Sequence, residues 1–401
     1  MKIAIFPDEY LPESTRVHAK MLHELALELK SLGNDVVVIT PGEPKQQALL
    51  SVCFLDGLEV WRFRSGRLRG RGKVLRAINE TLLSYKAWRA IRHKVENEPF
   101  DICVNYSPSI FFGPLMSWFK RRYSSYVYLI LRDIFPKWAI DEGLIKEKSL
   151  VAKYFSYFEQ LNYRNSDQIG LMSKSTLEHF RSLYPTYRNL CIMPNWANHE
   201  LHSNFISGDD IRQTFNLKGK VIFFYGGNIG HAQGIHNLLN LAREMEGVKG
   251  THFLFVGQGD CVNQLLDYCQ EYKLTNVTYS PPVSQIYYEK ILSQVDVGLV
   301  SLAASHTVNH YPGKTLGYMK FSLPILACLN KGNDLVNLIN ESGSGFGHYC
   351  NDASSLLESA SQLAINAKLR LSMGRESRKL LLDNFSTRNA AKRILASFAS
   401  D

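Results

Sequence analysis

The residues most able to do chemistry lie in short polar segments that follow apolar runs of the chain. One of these segments is Pro312-Gly313-Lys314, which stands between an apolar run and a helical pattern. Free backbone N–H groups at a helix start attract anions, and the Lys314 ammonium would add a full positive charge. The segment therefore predicts a diphosphate site, although a lone lysine is more often a solvated surface charge.

A second segment is rich in glycine. The stretch YGGNIGHAQGIHNLL, residues 225–239, has the pattern of a strand end, a tight turn and a helix. Gly226, Gly227 and Gly230 would let the backbone approach a ligand closely, and the start of the helix would attract phosphate. A tight turn that binds nothing is the alternative, because a single glycine-rich turn is a weak signal.

The third segment is the loop FPDEYLPESTRVH, residues 6–18, between the first apolar run and the first helical pattern. In open α/β sheets such loops lie at the carboxyl edge, where ligands bind. Arg16 would be available to an anion, whereas Ser14 or Thr15 would cap the helix. The loop predicts contacts to an acceptor substrate through Glu13, Ser14 and Arg16, and an N-cap without a ligand is the alternative.

Two single residues complete the candidate set. Asp133 follows a predicted strand, so its carboxylate would either orient an acceptor hydroxyl or cap the next turn. Asn195 lies in a polar loop between two groups of strands, and it would either bind a ligand or fix a hinge turn. We predict a catalytic and acceptor-binding role for Asp133 and a hinge role for Asn195.

A basic segment with aromatic flanks, RFRSGRLRGRGKVLR at residues 62–76, holds seven basic residues and no acidic one. WFKRRY at residues 118–123 adds three more. Such segments suit an anionic membrane surface or lipid-linked anion, and they would also suit RNA or DNA. A solvated loop and helix face is the usual alternative. The residues predicted to face a membrane are Arg62, Arg64, Arg67, Arg69, Arg71, Lys73, Arg76, Lys120, Arg121 and Arg122.

The composition is typical of a soluble globular chain with a preference for anionic partners. The 401 residues include 46 Lys and Arg against 37 Asp and Glu, which gives a formal net charge of +9. Seven cysteines without CxxC spacing indicate neither a disulfide framework nor a zinc site. We expect no signal peptide, because Pro, Asp and Glu follow the short N-terminal apolar run, and no membrane span.

Short apolar runs alternate with helical patterns along the whole chain. KIAIF (2–6), a helical stretch at 15–32 and VVVIT (36–40) predict a βαβ unit with parallel strands. Further strands are predicted at 58–63, 101–105, 126–131, 168–172, 190–193, 220–230, 252–260, 276–279, 296–300 and 323–327. From about residue 352 the pattern is helical to the end.

The alternation pauses at the polar loop 194–210 and then resumes. Two α/β series of similar size predict two doubly wound, Rossmann-like domains that face each other across a cleft. The predicted domains are residues 1–195 and 196–384, and a final helix at about 385–401 would pack on the first domain.

Taken in order, these pieces resemble the GT-B glycosyltransferases, and within them the large retaining family 4. The resemblance rests on the FPDEYLPESTR loop, PNW at the domain junction, FFYGGNIGHAQGI, FVGQGD, DVGLV and PGKTLGYMKFSLPILA. It spans nearly the whole chain, and the ordered set is specific although no single motif is. The most similar subgroup adds fucosamine-type sugars, such as N-acetyl-L-fucosamine, to bacterial surface polysaccharides.

The resemblance implies an activity. A nucleotide-diphosphate sugar would bind to the second domain, and a polyprenyl-diphosphate-linked saccharide would bind to the first domain at the membrane. Transfer would proceed with retention and without a metal or cofactor, because helix dipoles and basic side chains, Lys314 above all, stabilise the leaving diphosphate. The predicted donor-binding residues are Gly227, Asn228, Gly230, His231, Asn309, Pro312, Gly313, Lys314, Thr315 and Gly317.

The chain departs from its relatives at several of these positions. Many relatives carry two Glu residues around the helix that follows Pro-Gly-Lys, and alignment puts them at Asn309 and Gly317. The second of these Glu residues contacts the ribose in relatives. A Gly before Pro is replaced by Ser322-Leu323, and HAQG offers only His231 as a basic residue. We expect the loss of these Glu residues to affect ribose recognition more than catalysis, because retaining transfer in this fold needs no dedicated carboxylate pair.

Two other functions are compatible with the same fold. A sugar-nucleotide epimerase or a phosphorylase would need catalytic carboxylates or a cofactor lysine, and the sequence offers no clear set. Gly317 keeps open a catalytically inactive protein that binds a nucleotide sugar or acts as a scaffold. Nucleic acid is not expected as a partner, because the basic residues lie on one edge of the first domain.

The leading hypothesis is a transferase of O-antigen or capsule assembly, located in the cytoplasm and bound peripherally to the inner face of the cytoplasmic membrane. The sequence leaves open the donor sugar, its nucleotide base, the acceptor, the linkage and the oligomeric state.

Overall fold

The chain forms two compact units. Unit 1 is Met1–Pro194 together with Thr387–Asp401, and unit 2 is Asn195–Ser386. The computed structural model describes residues 1–14, 16–68, 73–201, 210–305 and 311–400, apart from the side chains of Lys73 and Val74.

Unit 1 contains a sheet with helices on its two faces. Its strands are β1 (Lys2–Phe6), β2 (Asp35–Pro41), β3 (Leu50–Leu55), β4 (Leu58–Phe63), β5 (Ile102–Ser107), β6 (Tyr126–Leu131), β7 (Gln168–Leu171) and β8 (Leu190–Ile192). Its helices are α1 (Val17–Ser31), α2 (Lys73–Thr81), α3 (Leu83–Asn97), α4 (Gly113–Tyr123), α5 (Lys137–Asp141), α6 (Leu150–Arg164), α7 (Lys174–Leu183) and, from the end of the chain, α16 (Thr387–Ala399).

The strand order in unit 1 is β3-β4-β2-β1-β5-β6-β7-β8. Neighbouring strands are parallel except for β3 and β4, which form an antiparallel hairpin. Strand β1 lies at the centre, where Ile3 pairs with Val36 on one side and with Ile102 on the other. Its apolar residues are fully buried, because helices cover both faces of a parallel sheet.

The last helix of the chain, α16, is part of unit 1. The Tyr126 hydroxyl donates to Ser397 Oγ at 3.0 Å, and Arg393 donates to the carbonyl of Ile192. The predicted boundary before this helix, at residue 385, lies two residues ahead of the observed one.

Unit 2 contains the second sheet. Its strands are β9 (Val221–Asn228), β10 (Thr251–Gln258), β11 (Val277–Ser280), β12 (Val297–Ser301), β13 (Ile325–Leu329) and β14 (Gly345–Tyr349). Its helices are α8 (Ile211–Thr214), α9 (Ile235–Glu244), α10 (Val262–Glu271), α11 (Gln285–Leu292), α12 (Lys314–Lys320), α13 (Leu335–Glu341), α14 (Ala353–Ile365) and α15 (Ala367–Leu380).

The strand order in unit 2 is β11-β10-β9-β12-β13-β14, and every pair is parallel. Successive residues of β9 face opposite layers of the core: Ile222 and Phe224 pack in one cluster, whereas Phe223 and Tyr225 pack in the other. Two Rossmann-like α/β domains, as the sequence predicts, are therefore confirmed.

Candidate functional site

Lys314 is the first residue of α12 and has an unusual environment in unit 2. Its Nζ atom is buried, and the described residues offer it no hydrogen-bond partner. The Nζ lies 3.3 Å from the centroid of the Tyr225 ring, which is a cation–π contact. Burial lowers the pKa of Lys314 well below its usual value. Because a buried ammonium without an acceptor costs free energy, this position favours an anionic ligand.

Tyr318, one helical turn after Lys314, fixes α12 against the sheet. Its hydroxyl lies 3.1 Å from the carbonyl of Leu299 and 3.2 Å from that of Phe224, and it accepts the N–H of Gly226 at 3.4 Å. The single hydroxyl proton serves one carbonyl at a time. These contacts tie α12 to β12 and to the end of β9, and they hold Lys314 beside the glycine-rich turn.

The glycine-rich turn ends β9. Gly227 has a φ of +112°, which favours glycine, and a Cβ there would lie 3.9 Å from Lys314 Cε. A Cβ on Gly226 would lie only 2.4 Å from the Tyr288 hydroxyl. The structure therefore brings the turn and Lys314 together. Helix α12 has only seven residues, so its dipole contributes less to anion binding than the Lys314 ammonium does.

Polar side chains surround Gly230 at the outer side of the turn. Asn228 Nδ2 donates to Gln233 Oε1 at 2.8 Å, and a Cβ on Gly230 would lie 2.7 Å from Asp260 Oδ1. His231 Nε2 lies 3.7 Å from Asp260 Oδ2, and both side chains are exposed. The predicted residues Asn228, Gly230 and His231 thus lie together, and Gln233 and Asp260 are additions that the sequence reasoning missed.

The remaining predicted donor-binding residues lie in surroundings that differ from one residue to the next. Pro312 and Thr315 line a small cavity of about 10 Å³, together with Asn195, and the Thr315 hydroxyl has no partner among the described residues. A cavity of that size holds about one water molecule. Gly313 is exposed. A Cβ on Gly317 would lie 3.4 Å from Leu292 Cδ1, so this position faces α11.

One predicted donor residue, Asn309, lies outside the described residues.

The carboxyl edge of the unit 1 sheet carries a cluster of ionisable groups. Asp8 and Glu9 follow β1, and His18 of α1 lies beside them. His18 Nε2 is 3.0 Å from Glu9 Oε1 and 3.5 Å from Asp8 Oδ1. The His18 ring stacks on Tyr106, at the end of β5, with ring centroids 5.6 Å apart. His18 was not among the predicted site residues, because the prediction for this loop rested on its hydroxyl groups and on Arg16.

Asp133 lies near this cluster, after β6. Surrounding protein raises the pKa of the Asp133 carboxyl by desolvation, and Arg132 opposes the shift. Asp8 and Asp133 both act electrostatically on Tyr106, whose pKa is raised chiefly by burial. Arg132 donates to the carbonyls of Met193 at 2.6 Å and Pro194 at 3.3 Å. Asp133 and the loop after β1 therefore belong to one region.

The predicted acceptor residues of the loop are held by ion pairs and turns. Arg16 Nε lies 3.2 Å from Glu9 Oε1, and Glu13 Oε2 lies 2.8 Å from Arg62 Nη1. The N-cap residue of α1 is Arg16, and its backbone N–H donates to the hydroxyl of Ser14 at 3.3 Å. The prediction that Ser14 caps α1 is therefore wrong, since Ser14 stands two residues before the N-cap, and Thr15 lies outside the described residues.

The prediction that Arg62 faces a membrane is wrong. Its side chain is buried, forms the ion pair with Glu13 and donates to the carbonyl of Leu11. The Arg69 and Arg71 residues and the side chain of Lys73 lie outside the described part of the chain.

The other predicted basic residues are partly engaged at the surface of unit 1. Arg64 donates to the carbonyl of Gln47, Arg76 pairs with Glu80 at 2.8 Å, and Lys120 pairs with Asp167. The predicted residues that are left at the surface are Arg67, Arg121 and Arg122.

Within the part of the chain that the structure describes, two groups of side chains have the spacing of metal ligands, with donor atoms within 4.8 Å of one another. The first is Asp8, Glu9 and His18, where Arg16 already pairs with Glu9. The second is His231, Asp260 and Cys261, where burial and the Asp260 carboxylate raise the pKa of the Cys261 thiol. A raised thiol pKa disfavours the thiolate that a metal requires. Both groups fit internal ion pairing better than a metal.

Two family profiles match the chain. The Glycosyl transferase 4-like domain matches residues 18–196, and the Glycosyl transferases group 1 domain matches residues 208–380. The gap between the two matches, residues 197–207, lies within the polar loop 194–210, at which the alternation of strands and helices pauses. The chain is a glycosyltransferase, and its fold is GT-B.

Named relatives agree with this class. The chain is 25% identical over 262 residues to the Probable glycosyltransferase WbjE of Pseudomonas aeruginosa, and the match spans 64% of each protein. It is 24% identical over 330 residues to the Putative colanic acid biosynthesis glycosyl transferase WcaI of Escherichia coli strain K12, covering 75% of this chain and 76% of WcaI.

Among solved structures, Anabaena Alr3699/HepE in complex with UDP and glucose matches 100% of both chains with a TM-score of 0.68 at 13% identity. That likeness shows the shared fold. Across the described residues, no helix combines the length and apolarity needed to cross a bilayer.

Proposed function

We propose that the chain transfers a sugar from a nucleotide-diphosphate donor to a lipid-linked saccharide, with retention of the anomeric configuration. The observation that carries this proposal is the buried ammonium of Lys314, which has no hydrogen-bond partner among the described residues and lies beside the glycine-rich turn. A diphosphate supplies the negative charge that this position favours, and the glycine backbone leaves room for it.

The chemistry proceeds on the leaving group. As the bond between the sugar and the diphosphate breaks, negative charge grows on the phosphate oxygen, and Lys314 stabilises that charge in a site shielded from water. The acceptor hydroxyl attacks from the same face and gives its proton to the leaving phosphate oxygen. The residues near Lys314 then need no carboxylate pair. No metal is required either, so transfer is expected to continue in excess EDTA.

The acceptor binds unit 1 at the carboxyl edge of its sheet. Asp133 accepts a hydrogen bond from the acceptor sugar, and its raised pKa reflects a partly desolvated position suited to a bound ligand. Arg16, at the start of α1, pairs with Glu9 of the Asp8, Glu9 and His18 cluster, and its side chain is exposed. We assign it to the phosphate end of the acceptor.

The setting proposed for this reaction is the assembly of a bacterial surface polysaccharide at the inner face of the cytoplasmic membrane. The name of WcaI refers to colanic acid biosynthesis, and this supports a polysaccharide product. The bound UDP and glucose in the HepE structure support a nucleotide-sugar donor. The sugar that we propose is of the N-acetyl-L-fucosamine type, because the ordered motifs resemble transferases of such sugars.

The test is a transfer assay with the full chain. UDP-, GDP- and dTDP-sugars are each offered with a synthetic lipid-diphosphate sugar acceptor, and the anomeric configuration of the product is read by NMR. We expect transfer from one donor with retention. Inversion would overturn the mechanism, and the failure of every donor would overturn the proposed function.

A second candidate function is a nucleotide-sugar-binding protein without transferase activity. It is favoured by Gly317, which stands where relatives carry a carboxylate and faces Leu292. The same assay separates the candidates, because this one predicts measurable nucleotide binding and no product from any donor.

A further inference from the structure

Helices α2 and α3 of unit 1 expose an apolar stripe. Leu75, Ile78, Leu82 and Tyr85 follow one another at helical spacing, and their exposed fractions are 57%, 49%, 41% and 54%. Asn79, one turn after Leu75, is buried and donates to the carbonyl of Arg67, so α2 packs on unit 1 through this polar side chain. The apolar side of this amphipathic helix thus faces outward, whereas a surface helix normally turns it to the core.

Helix α6 exposes a second stripe. Leu150, Tyr154 and Tyr157 lie at helical spacing with exposed fractions of 83%, 37% and 60%. The Tyr154 hydroxyl is hydrogen-bonded to the hydroxyl of Thr81, the last residue of α2. The two stripes therefore adjoin, and we call them together the apolar face: Leu75, Ile78, Leu82, Tyr85, Leu150, Tyr154 and Tyr157.

Packed aromatic rings support the apolar face from beneath. Phe158 contacts Tyr154 and Phe111 with ring centroids 5.1 Å and 5.0 Å apart. Phe111 belongs to the buried core of unit 1. The exposed side chains are thus supported by residues packed in the core of unit 1. Contiguous apolar surface of this kind marks an interaction site.

The charge around the apolar face indicates what covers it. Residues 64–94 contain ten Lys and Arg and one Glu, so 10 − 1 gives +9, which equals the formal net charge of the whole chain. The net positive charge of the protein is therefore concentrated in the chain segment that contains α2 and most of α3. Basic residues beside exposed aliphatic side chains and tyrosines suit the interface of an anionic bilayer, at about 1 kcal/mol for each basic residue near the surface.

A second copy of the chain is a poorer occupant. In a two-fold symmetric contact the same surface meets itself, so the +9 segment of one copy would face the same segment of the other. Like charges at such a contact oppose association. An anionic bilayer meets both the apolar residues and the charge.

We propose that the apolar face inserts into an anionic bilayer and holds unit 1 at the membrane surface. This deepens the proposed function and rests on it, since a lipid-linked acceptor lies in the membrane. It also revises the predicted membrane contact: the apolar residues of α2, α3 and α6 make it, and the surrounding basic residues strengthen it. Arg62 takes no part, because it is buried against Glu13.

The test is flotation of the full chain with vesicles of phosphatidylglycerol and phosphatidylcholine, or of phosphatidylcholine alone. The variant is Leu75→Gln, Ile78→Gln and Leu150→Gln together. The matched control changes three apolar residues of unit 2 with exposed fractions of 75%, 81% and 65%: Ile286→Gln, Ile365→Gln and Leu371→Gln. Thermal melting and nucleotide titration show that each variant is folded.

Wild type and control should bind anionic vesicles, weakly at high salt, and the α2–α6 variant should bind at least 100-fold more weakly. Equal binding by this variant would overturn the inference. So would a wild-type dimer, measured by light scattering without lipid, that becomes a monomer in the variant.

Transfer to a short-chain, water-soluble acceptor separates the two proposals. Loss of vesicle binding by the variant with unchanged transfer supports the docking surface and the proposed function together. Transfer by wild type together with vesicle binding that ignores the substitutions overturns only the docking surface. Vesicle binding that depends on the apolar face, without transfer from any donor by wild type, overturns only the proposed function.

Discussion

Replacing Lys314 by Met should weaken nucleotide binding and at the same time leave the protein as stable as before or more stable. The substitution removes the ammonium and keeps an unbranched apolar side chain over the Tyr225 ring. Most loss-of-function substitutions in a buried site lower both ligand affinity and protein stability. The opposite signs follow from the environment of Lys314, which offers the ammonium a ring but no hydrogen-bond acceptor among the described residues.

The loss in donor affinity can be estimated from the free energy of leaving the diphosphate charge of the donor without its cationic partner. Removing one partner of a buried ion pair costs about 3–5 kcal/mol. At about 1.4 kcal/mol for each factor of ten, nucleoside diphosphate binding should weaken by about 10²- to 4 × 10³-fold.

The effect on stability comes from the unliganded protein. Burying an ion costs several kcal/mol, and a desolvated cation–π contact returns about 2 kcal/mol. A net relief of about 1 kcal/mol in the variant would raise the Tm of a unit of this size by about 2–4 °C.

The assay pairs calorimetric titration of UDP, GDP and dTDP with thermal unfolding of the unliganded chain. The matched control is Lys331→Met, which changes an exposed lysine of unit 2 and should alter neither quantity. Unchanged nucleotide affinity in Lys314→Met would refute the diphosphate assignment. A fall in Tm of several degrees would refute the view that the ammonium is uncompensated in the free protein.

The stability difference should depend on pH in a defined direction. Burial lowers the pKa of Lys314 in the folded chain, whereas the unfolded chain has an ordinary value of about 10.4. Between these pKa values the unfolded state binds more protons, so the stability of wild type rises with pH. The advantage of Lys314→Met is therefore largest below the lowered pKa and disappears as pH rises towards the ordinary value.

Three further predictions follow from other parts of the structure. Burial raises the pKa of Glu159 from 4.5 to about 7, so wild type loses stability as pH rises through this interval. Glu159→Gln should therefore gain about 3 kcal/mol over wild type above neutral pH, and a gain in urea unfolding that is the same at acidic pH would contradict this. Asp133→Asn should lower the rate of transfer about tenfold at saturating donor with unchanged nucleotide affinity, and weaker nucleotide binding would remove Asp133 from the acceptor site. Ser322 has a φ of +55°, so Ser322→Gly should stabilise unit 2 by about 1 kcal/mol in urea unfolding, and an unchanged midpoint would show that the strain is compensated.

Apolar runs predict a strand well when both faces of that strand are buried. Strands β1, β6 and β12 lie inside the sheets and are continuous apolar segments, and each was predicted from its run. Strands β3 and β14 were missed. Each stands at the edge of its sheet, where β3 is only partly buried and β14 contains two glycines. A half-covered strand needs no continuous apolar run, so its signal is weaker.

The candidate site residues also differ in whether a local sequence pattern could predict them. The sequence predicted the positions of Asn228 and Gly230 in a turn and of Lys314 at a helix start, because such features form patterns within a few consecutive residues. The stacking of His18 on Tyr106 was not found, since it joins α1 to the end of β5. Asp260 was missed as well, because it reaches Gly230 from the end of a neighbouring strand.

Local patterns in the chain predict the two α/β series, the glycine-rich turn and the position of Lys314 at the start of a helix, because each depends on the order of nearby residues. Long-range packing sets the contact of the Lys314 ammonium with Tyr225, the burial of Arg62 against Glu13 and the exposure of the apolar face of α2, α3 and α6. Burial and pairing are set by segments far apart in the chain. The charge or apolarity of a residue does not reveal which distant partner will cover it, or whether any will.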